Sequence, residues 1–564
     1  MSTPDLSWFK RRWNLPETGK PLVEVFLQAE RNGSTAFELI SASQPKAVLG
    51  ESAQLIQVGD PLPDVPKPLV ALAHGKKTFI QSWLYYRAEM DVAADFKARL
   101  RIDAPLVFNP VMLGPLWDKA NPEQKLAVSV ALAKSVTLLT GGPGTGKTFT
   151  LTLILLALSK AWTDAVPPRV LLAAPTGKAA DQMRNSIQKN LAHLHSSDLV
   201  GSDLALIQEA AAKSKTLHKL LEYNPSNGKC KFNTTHPLPC DLLIVDESSM
   251  TDLLLWRALL KALPKAARMI VVGDPHQLQS VGPGNVLGEL VRVAGLKESI
   301  LEKAWVHLVQ NMRFKKGTAG IANLAKALED EDSAAAVRAL QDSKNDPKGL
   351  HWIERNGDVE MVWNDFPESI QTALTEVAEA LTPEAALQKL QQICILTALR
   401  HHFIGAQTLN DTIARHFARK FAESDRWPAR PIIINRNDPE TGLKNGTVGV
   451  IVRDEKGETK AWFRASGRGG ELTYKEYPVA KLPDYSPAWV LTVHRSQGSE
   501  YEQVLVILPR QESPMNSREL IYTAITRAQK TVYIAGSLET VKKAVETSTR
   551  RVTMLGAHLA FTPL

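Results

Sequence analysis

Eight consecutive residues, Gly141-Gly142-Pro143-Gly144-Thr145-Gly146-Lys147-Thr148, set a lysine and a hydroxyl behind a run of glycines. The spacing is G-x-x-x-x-G-K-[ST], the pattern of a phosphate-binding loop. Glycines let successive backbone N–H groups converge on one anion, and a following helix adds partial positive charge at its N-terminus. Lys147 can then reach the β- and γ-phosphates of ATP, and Thr148 can ligate Mg²⁺. A turn that merely joined a strand to a helix would need no Lys-Thr pair. Here the pair stands in register between the apolar run "SVTLLT" and the helical run "FTLTLILLALSK". ATP and Mg²⁺ are the expected cofactors.

Hydrolysis needs more than a cradle. The run "DLLIVDESS" ends in Asp246 and Glu247. Asp246 is placed to hold Mg²⁺, directly or through water, and Glu247 to orient or deprotonate the attacking water. The next run ends "VVGDPHQLQSVGPG", which offers Gln277 as a sensor of the γ-phosphate. Arg313 in "QNMRF" and Arg527 in "YTAITRA" could complete the site from a second domain. An arginine so supplied contributes about 10³ to 10⁵ in rate.

These residues need a scaffold to hold them. Short apolar runs alternate with helical segments from about residue 118: "SVTLLT", "RVLLAAP", "DLLIVDE" and "RMIVVGD". This is the βαβ pattern of a parallel sheet with its site at the C-terminal edge of the strands. A helical stretch follows, and then "QICILTAL", "EQVLVILP" and "KTVYIAG" predict a second α/β domain. Between them, 430–484 reads as a small β-barrel insertion, with short strands and Asn-Gly and Gly-rich turns. Residues 1–112 read as a helical N-terminal domain, on the spacing in "FIQSWLYYRAEMDVAADFKARL", and "FNPVMLGPLW" reads as a linker.

The chain has 564 residues, too many for one ordinary core. A net charge of +8 fits a groove that follows a polyanion, and equally fits simple solubility. Three cysteines, Cys230, Cys240 and Cys394, with no C-x-x-C, argue against a disulfide framework and for a cytoplasmic setting. The first residues lack the apolar core of a signal peptide. The longest apolar run, 151–158, is too short to span a bilayer, so no membrane partner is expected.

The motifs "GGPGTGKT", "APTGKAA", "TLHKLL", "LLIVDESSM", "GDPHQLQSVGPG", "NMRF", "VLTVHRSQGSEY" and "LIYTAITRAQ" stand in the order of superfamily 1 helicases. Their wording resembles the 5′-to-3′ branch, and within it the RecD family, the alpha subunits of bacterial RecBCD enzymes (exodeoxyribonuclease V). The resemblance runs from about residue 80 to the C-terminus. It implies two RecA-like P-loop NTPase lobes, the first at 113–305 and the second split into 306–429 and 485–564. It also implies an SH3-like character for the 430–484 insertion and a partner-docking role for 1–112.

The resemblance assigns further roles. Gln124, in "NPEQ", would read adenine, and Glu500, in "SQGSEY", would contact the ribose. Pro175, Thr176, Lys178, Thr216 and His218 would line a single-strand path, joined from the second lobe by Thr492, His494 and Ser496. Two departures stand out. Arg313 follows Asn-Met where an aromatic is usual, which removes an expected stacking contact. Arg495 replaces a lysine and keeps the charge. No nuclease-like cluster is found; in RecBCD that activity belongs to another subunit.

The implied activity is ATP-dependent 5′-to-3′ translocation on DNA within a RecBCD-type heterotrimer, with RecB- and RecC-like partners and single-stranded or end-containing double-stranded DNA. A stand-alone repair helicase and an ATP-gated DNA clamp are the competing readings. Other features read as ordinary. His193 and His195 fall in a polar loop, and His401-His402 cap a strand end. "ALEDEDSAAAVRAL" is an exposed helical hairpin, and Trp489 could approach a base.

Overall fold

The computed structural model describes residues 20–39, 56–58, 67–163, 166–192, 201–313, 316–344, 349–355, 361–422, 427–453, 457–466, 472–509, 516–547 and 551–560. The pair His193 and His195 lies outside them.

Six parallel strands form the first lobe, in the order Trp305–Leu308, Val136–Gly141, Arg268–Gly273, Leu242–Val245, Val170–Ala174 and Lys215–Thr216. Helices cover both faces, so the central strands are apolar on both sides and read as unbroken hydrophobic runs. Every residue of Val136–Gly141 and of Arg268–Gly273 is buried. The helix Lys147–Ala161 is buried from Thr150 to Leu158, which explains its lack of a polar face. The edge strand Trp305–Leu308 straddles the expected boundary at 305/306. It pairs with Val136–Gly141, so the first sheet extends past that boundary.

The second lobe has five parallel strands, in the order Leu350–Glu354, Ala528–Gly536, Tyr501–Ile507, Ile393–Thr397 and Val490–Thr492. Into it is inserted a five-stranded antiparallel sheet built from Arg430–Ile434, Val448–Arg453, Thr459–Ser466, Leu472–Pro478 and Tyr485–Pro487. Its Asn445-Gly446 turn places Gly446 at φ +84°, a backbone region that glycine enters without a Cβ penalty.

The N-terminal region departs from the helical expectation. It holds a helix, Lys20–Arg31, and a four-stranded sheet ordered Ala36–Glu38, Lys77–Ser82, Leu69–His74 and Ile56–Val58. A long helix, Trp83–Leu100, then follows. The helical spacing is real from Trp83 onward, but "FIQS" before it belongs to the hairpin that turns at Gly75, φ +61°. Ser82 caps the helix by accepting the Tyr85 N–H, which fixes where strand gives way to helix.

This region shares one continuous apolar core with the first lobe. Phe96 packs on Trp256 with ring centroids 5.8 Å apart. Arg99, buried, donates to the carbonyls of Leu263, Pro264 and Ala267. The expected linker "FNPVMLGPLW" is also packed: Pro110–Leu113 and Pro115–Lys119 are short helices, and Leu113 joins the first lobe's core.

The C-terminal end corrects the assignment of 485–564 to the second lobe. Residues 551–560 return to the other side of the molecule. Helix Leu555–Ala560 puts Leu555 and Leu559 into the core shared by the N-terminal region and the first lobe. Thr35 N–H bonds to Val552 O at 3.0 Å, and Met554 N–H to the buried Glu89. Arg551 donates to Ser280 Oγ and to the carbonyls of Gly282 and Gly284. All three cysteines are unpaired. No helix among the described residues is long and apolar enough to cross a membrane.

Candidate nucleotide site and interlobe seam

The loop 141–148 leaves a buried strand and opens a helix, with Gly144 at φ +83° and Gly146 at φ +84°. Both glycines are also short of space. A Cβ at Gly146 would lie 2.7 Å from Gln124 Nε2, and one at Gly144 2.6 Å from Arg313 Cβ. Lys147 Nζ donates to Gly141 O at 2.7 Å and Gly142 O at 3.0 Å, and Thr145 Oγ1 donates to Gly142 O at 2.8 Å. These bonds hold the lysine curled over the cradle, where phosphate oxygens can take the place of carbonyls.

Gln124 sits in a capping box. Its N–H donates to Asn121 Oδ1 while its own Oε1 accepts the Asn121 N–H, which starts helix Pro122–Ala133 beside the loop. Glu123 accepts the backbone N–H of Val309 at 2.8 Å and so ties that helix to the chain leaving the first sheet.

Asp246 and Glu247 end the strand Leu242–Val245. Burial pushes the Asp246 carboxyl up to about 7, the Glu247 charge adding to the rise and Lys147 opposing it. A buried carboxylate this short of positive charge is what a divalent cation satisfies, so the residues present fit Mg²⁺. Glu247 stands at φ +49°, a left-handed conformation uncommon for a side chain larger than glycine. Beside it the hydroxyls of Ser248 and Ser249 are buried without a hydrogen-bond partner.

The segment 311–313 lies directly on the loop. Asn311 Nδ2 donates to Pro143 O at 2.9 Å, and Met312 N–H to Gly144 O at 2.9 Å. Arg313, whose N–H donates to Asn311 Oδ1 at 2.9 Å, is therefore held on the first lobe's loop through Asn311 and Met312, not on the second domain expected to supply it. Its guanidinium reaches the second lobe, bonding Thr526 O at 3.1 Å and pairing with Glu500. Burial opposes ionisation of Glu500, but the Arg313 charge and a hydrogen bond from Gln529 outweigh it and hold the carboxyl below the usual range. Arg527, 3% exposed, donates to Gln277 Oε1 at 2.8 Å, Thr523 O at 3.1 Å and Ser499 O at 3.3 Å. Lys147, Asp246, Glu247, Gln277, Arg313, Arg527 and Glu500 thus gather at one seam.

The sequence reading missed several residues there. Tyr522, on the helix Arg518–Ile525, places its hydroxyl 3.2 Å from Asp274 Oδ2 and 3.0 Å from Glu329 Oε1. A Cβ at Gly142 would lie 2.9 Å from that hydroxyl. Thr523 Oγ1 accepts the Leu278 N–H at 2.8 Å, another bond between lobes. Glu329 ends the helix Ala319–Glu329, within the acidic stretch read as an exposed hairpin; its neighbours Asp330 and Glu331 are exposed, and it turns inward. A tyrosine inside the apolar run "LIYTAI" was the available signal.

The residues expected along a single-strand path divide. Pro175, Thr176, Thr216 and Thr492 stand at the C-terminal ends of strands and are partly exposed, and His218 is exposed in the turn beside them. Thr176 and Thr216 also cap short helical starts by accepting the N–H groups of Ala179 and Lys219. Burial brings the Lys178 ammonium down to about 8, Cys394 opposing and the Arg527 charge adding. His494 is held below its ordinary range by burial and by Arg551. Ser496 is fully buried, and its hydroxyl donates to Val493 O at 2.7 Å to close its own turn, so it does not line a groove. Trp489 is likewise core, 5.1 Å from the Phe417 ring, and does not approach a base. A contact not expected joins the inserted sheet to the first lobe: Lys444, in that sheet's turn, pairs with Asp181 at 2.7 Å.

Fold and seam together define a two-lobed P-loop nucleoside triphosphatase of the helicase type. Residues 124–283 match the AAA domain family, and residues 487–535 match the UvrD-like helicase C-terminal domain. The RecBCD enzyme subunit RecD of Haemophilus influenzae is 30% identical over 87% of this chain and 81% of its own. That of Mycobacterium tuberculosis (strain H37Rv) is 32% identical over 85% and 80%. The chain belongs to the RecD family. The ATP-dependent RecD2 DNA helicase of Deinococcus radiodurans is 29% identical over 74% of this chain and 49% of its own length.

Proposed function

We propose that this chain is an ATP-dependent DNA helicase that moves 5′-to-3′ along a single strand, as the RecD subunit of a RecBCD-type assembly acting on double-strand ends. The observation that carries the reading is the seam itself. Arg527 of the second lobe is bonded to Gln277 of the first, while Arg313, pinned to the phosphate loop, reaches back to Glu500.

In this reading Lys147 releases the Gly141 and Gly142 carbonyls to hold the β- and γ-phosphates. Arg313 and Arg527 turn from Glu500 and Gln277 toward the γ-phosphate, and Glu247 orients the attacking water. Thr148 and Asp246 would hold Mg²⁺, which neutralises charge on the phosphates. Gln124 reads adenine and Glu500 contacts the ribose. Arg527, carried by the second lobe, draws the lobes together when it prefers a triphosphate to Gln277, while Arg313 exchanges its Glu500 contact for the phosphate from within the first lobe; hydrolysis removes both preferences. If Pro175, Thr176, Thr216 and His218 grip a strand from one lobe and Thr492 from the other, closure and opening become steps along it. Such a grip is mainly to phosphates and tolerates any sequence.

The N-terminal region serves in this proposal as the docking surface for RecB- and RecC-like chains, in the cytoplasm of a bacterium. The inserted sheet is an SH3-like module arching over the strand.

The purified chain should hydrolyse ATP when single-stranded DNA is added, and Lys147→Gln should abolish this. A 5′-tailed duplex should be unwound and a 3′-tailed one left intact, alone or with co-purified partners. ATPase indifferent to DNA would sink the motor reading. A native pull-down without large partner chains would favour a stand-alone helicase.

A further inference from the structure

The strand Ile393–Thr397 ends at the same edge of the second lobe as Val490–Thr492, with Thr397 and Thr492 as register partners. The loop that follows, Leu399 to Gly405, is tightly built. Thr397 Oγ1 donates to Ile404 O at 2.9 Å, and Thr408 Oγ1 to His402 O at 2.8 Å. Backbone bonds run from Gly405 N–H to His402 O, from Ala406 N–H to Leu399 O and from Gln407 N–H to Arg400 O. Gly405 is required, since a Cβ there would stand 2.7 Å from His402 N and 2.8 Å from Arg400 O. His402 thus works within the loop, as a strand-end cap should.

What this rigid loop presents is Phe403. Its side chain is 64% exposed, and among the described residues it is the only exposed phenylalanine. Its one ring neighbour is His402, edge-on at 5.7 Å, which leaves the faces open. Five hydrogen bonds within the loop hold this apolar ring out in a fixed position, open to a partner on its faces. Charge indicates what. Arg400 is on the same loop, and Arg495 follows Thr492 on the neighbouring element. Neither has an ion-pair partner among the described residues. They lie close enough that Arg400 adds to the burial that lowers Arg495's proton affinity, with Asp484 the opposing charge. Two guanidinium groups at the same strand edge as the open ring complement a planar base flanked by phosphates.

We infer that Phe403 is a stacking platform for one base of single-stranded DNA in the second lobe, with Arg400 and Arg495 holding the adjacent phosphates. This rests on the DNA-motor reading above and adds a contact that reading did not contain. A platform on the moving lobe gives a sequence-tolerant grip, because every base has a π-face.

The test uses the full chain and a poly-dT oligonucleotide carrying single 2-aminopurine substitutions. In the wild type, one position should show quenching that identifies a stacked base. Phe403→Ala should remove that quenching and weaken binding about tenfold. Phe403→Tyr should restore both, and Phe403→Leu neither. Because the ring is exposed, Phe403→Ala should keep the wild-type thermal midpoint. Arg400→Gln should reduce the salt slope of binding by about one unit. If the wild type binds DNA and Phe403→Ala binds equally well with the same quenching, the platform is overturned and the motor reading stands. If Phe403→Ala loses large partner chains instead, the ring docks a protein and the inference is wrong. A wild type that binds no single strand removes both readings.

Discussion

Arg527 Nη2 and Gln277 Oε1 are 2.8 Å apart, a hydrogen bond between two buried side chains from opposite lobes. Gln277 is bonded in turn to Asp274 at 3.0 Å, so the arginine is coupled to the end of the strand beside the phosphate loop. Replacing Arg527 by alanine should lower kcat for DNA-stimulated ATP hydrolysis by about 10³-fold or more. Lysine should rescue little of this, since it lacks the fork that reaches Gln277, Thr523 and Ser499 together. Steady-state ATPase at saturating single-stranded DNA checks this, with fluorescent-nucleotide binding as the control for an intact first lobe.

Gly144 gives a sharper test of how Arg313 is positioned. A methyl group there meets Arg313 Cβ at 2.6 Å and Asn311 Oδ1 at 2.8 Å, and φ +83° disfavours any side chain. Gly144→Ala should lift the 311–313 segment from the loop. The expected result is a fall in kcat comparable to that of Arg313→Ala, with no further loss in the double variant, because both remove the same interaction. Additive losses would show that Arg313 acts independently of that docking.

Tyr522 has one hydroxyl proton and two carboxylate neighbours, Asp274 and Glu329. It can donate to only one at a time, so a negative Glu329 beside the phosphate loop is incompletely compensated. Burial raises the Glu329 carboxyl above its ordinary range, His276 and the Tyr522 hydroxyl opposing and Asp274 adding. Glu329→Gln removes a charge that a triphosphate must approach and supplies a second donor. KM for ATP should fall several-fold with kcat little changed. A rise in KM would mean that Glu329 binds the nucleotide side favourably.

Much of the seam was legible because its chemistry sits at the ends of fully buried parallel strands. Such strands read as unbroken apolar runs that stop at a turn, as "DLLIVDE" and "RMIVVGD" do. Edge strands were not legible. Trp305–Leu308 and Leu350–Glu354 alternate in burial over four or five residues, too few for a period to stand out. The N-terminal hairpin was hidden by the strong helix after it. Orientation was hidden too: "VLTVHRSQG" gives no sign that Ser496 faces inward while Thr492 faces out, since a four-residue helical turn between them changes the facing. Contacts between segments hundreds of residues apart, such as Arg551 on the 280–284 loop, carry no local signature at all.

The return of the C-terminal segment makes a prediction about pH. Glu89 is wholly buried in helix Trp83–Leu100, where it accepts from Thr35 Oγ1 at 2.5 Å and from the Met554 N–H, with His558 Nε2 3.9 Å away. Burial pushes its carboxyl up to about 8; the hydrogen bonds from Thr35 and Met554 oppose this and Glu289 adds to it. The folded chain therefore holds a proton that the unfolded chain, near 4.5, has already released. The stability this contributes is fully present below about 4.5 and is lost as pH rises through about 8. The thermal midpoint should drop by several degrees between pH 5.5 and pH 8.5. Glu89→Gln, which keeps an acceptor and never ionises, should flatten that profile and raise the midpoint at the alkaline end. A wild-type profile that stayed level across this window, or a Gln variant that kept the full slope, would show that Glu89 is ionised where it lies. The Thr35 and Met554 hydrogen bonds that tie residues 551–560 down would then end on a carboxylate rather than on a neutral carboxyl.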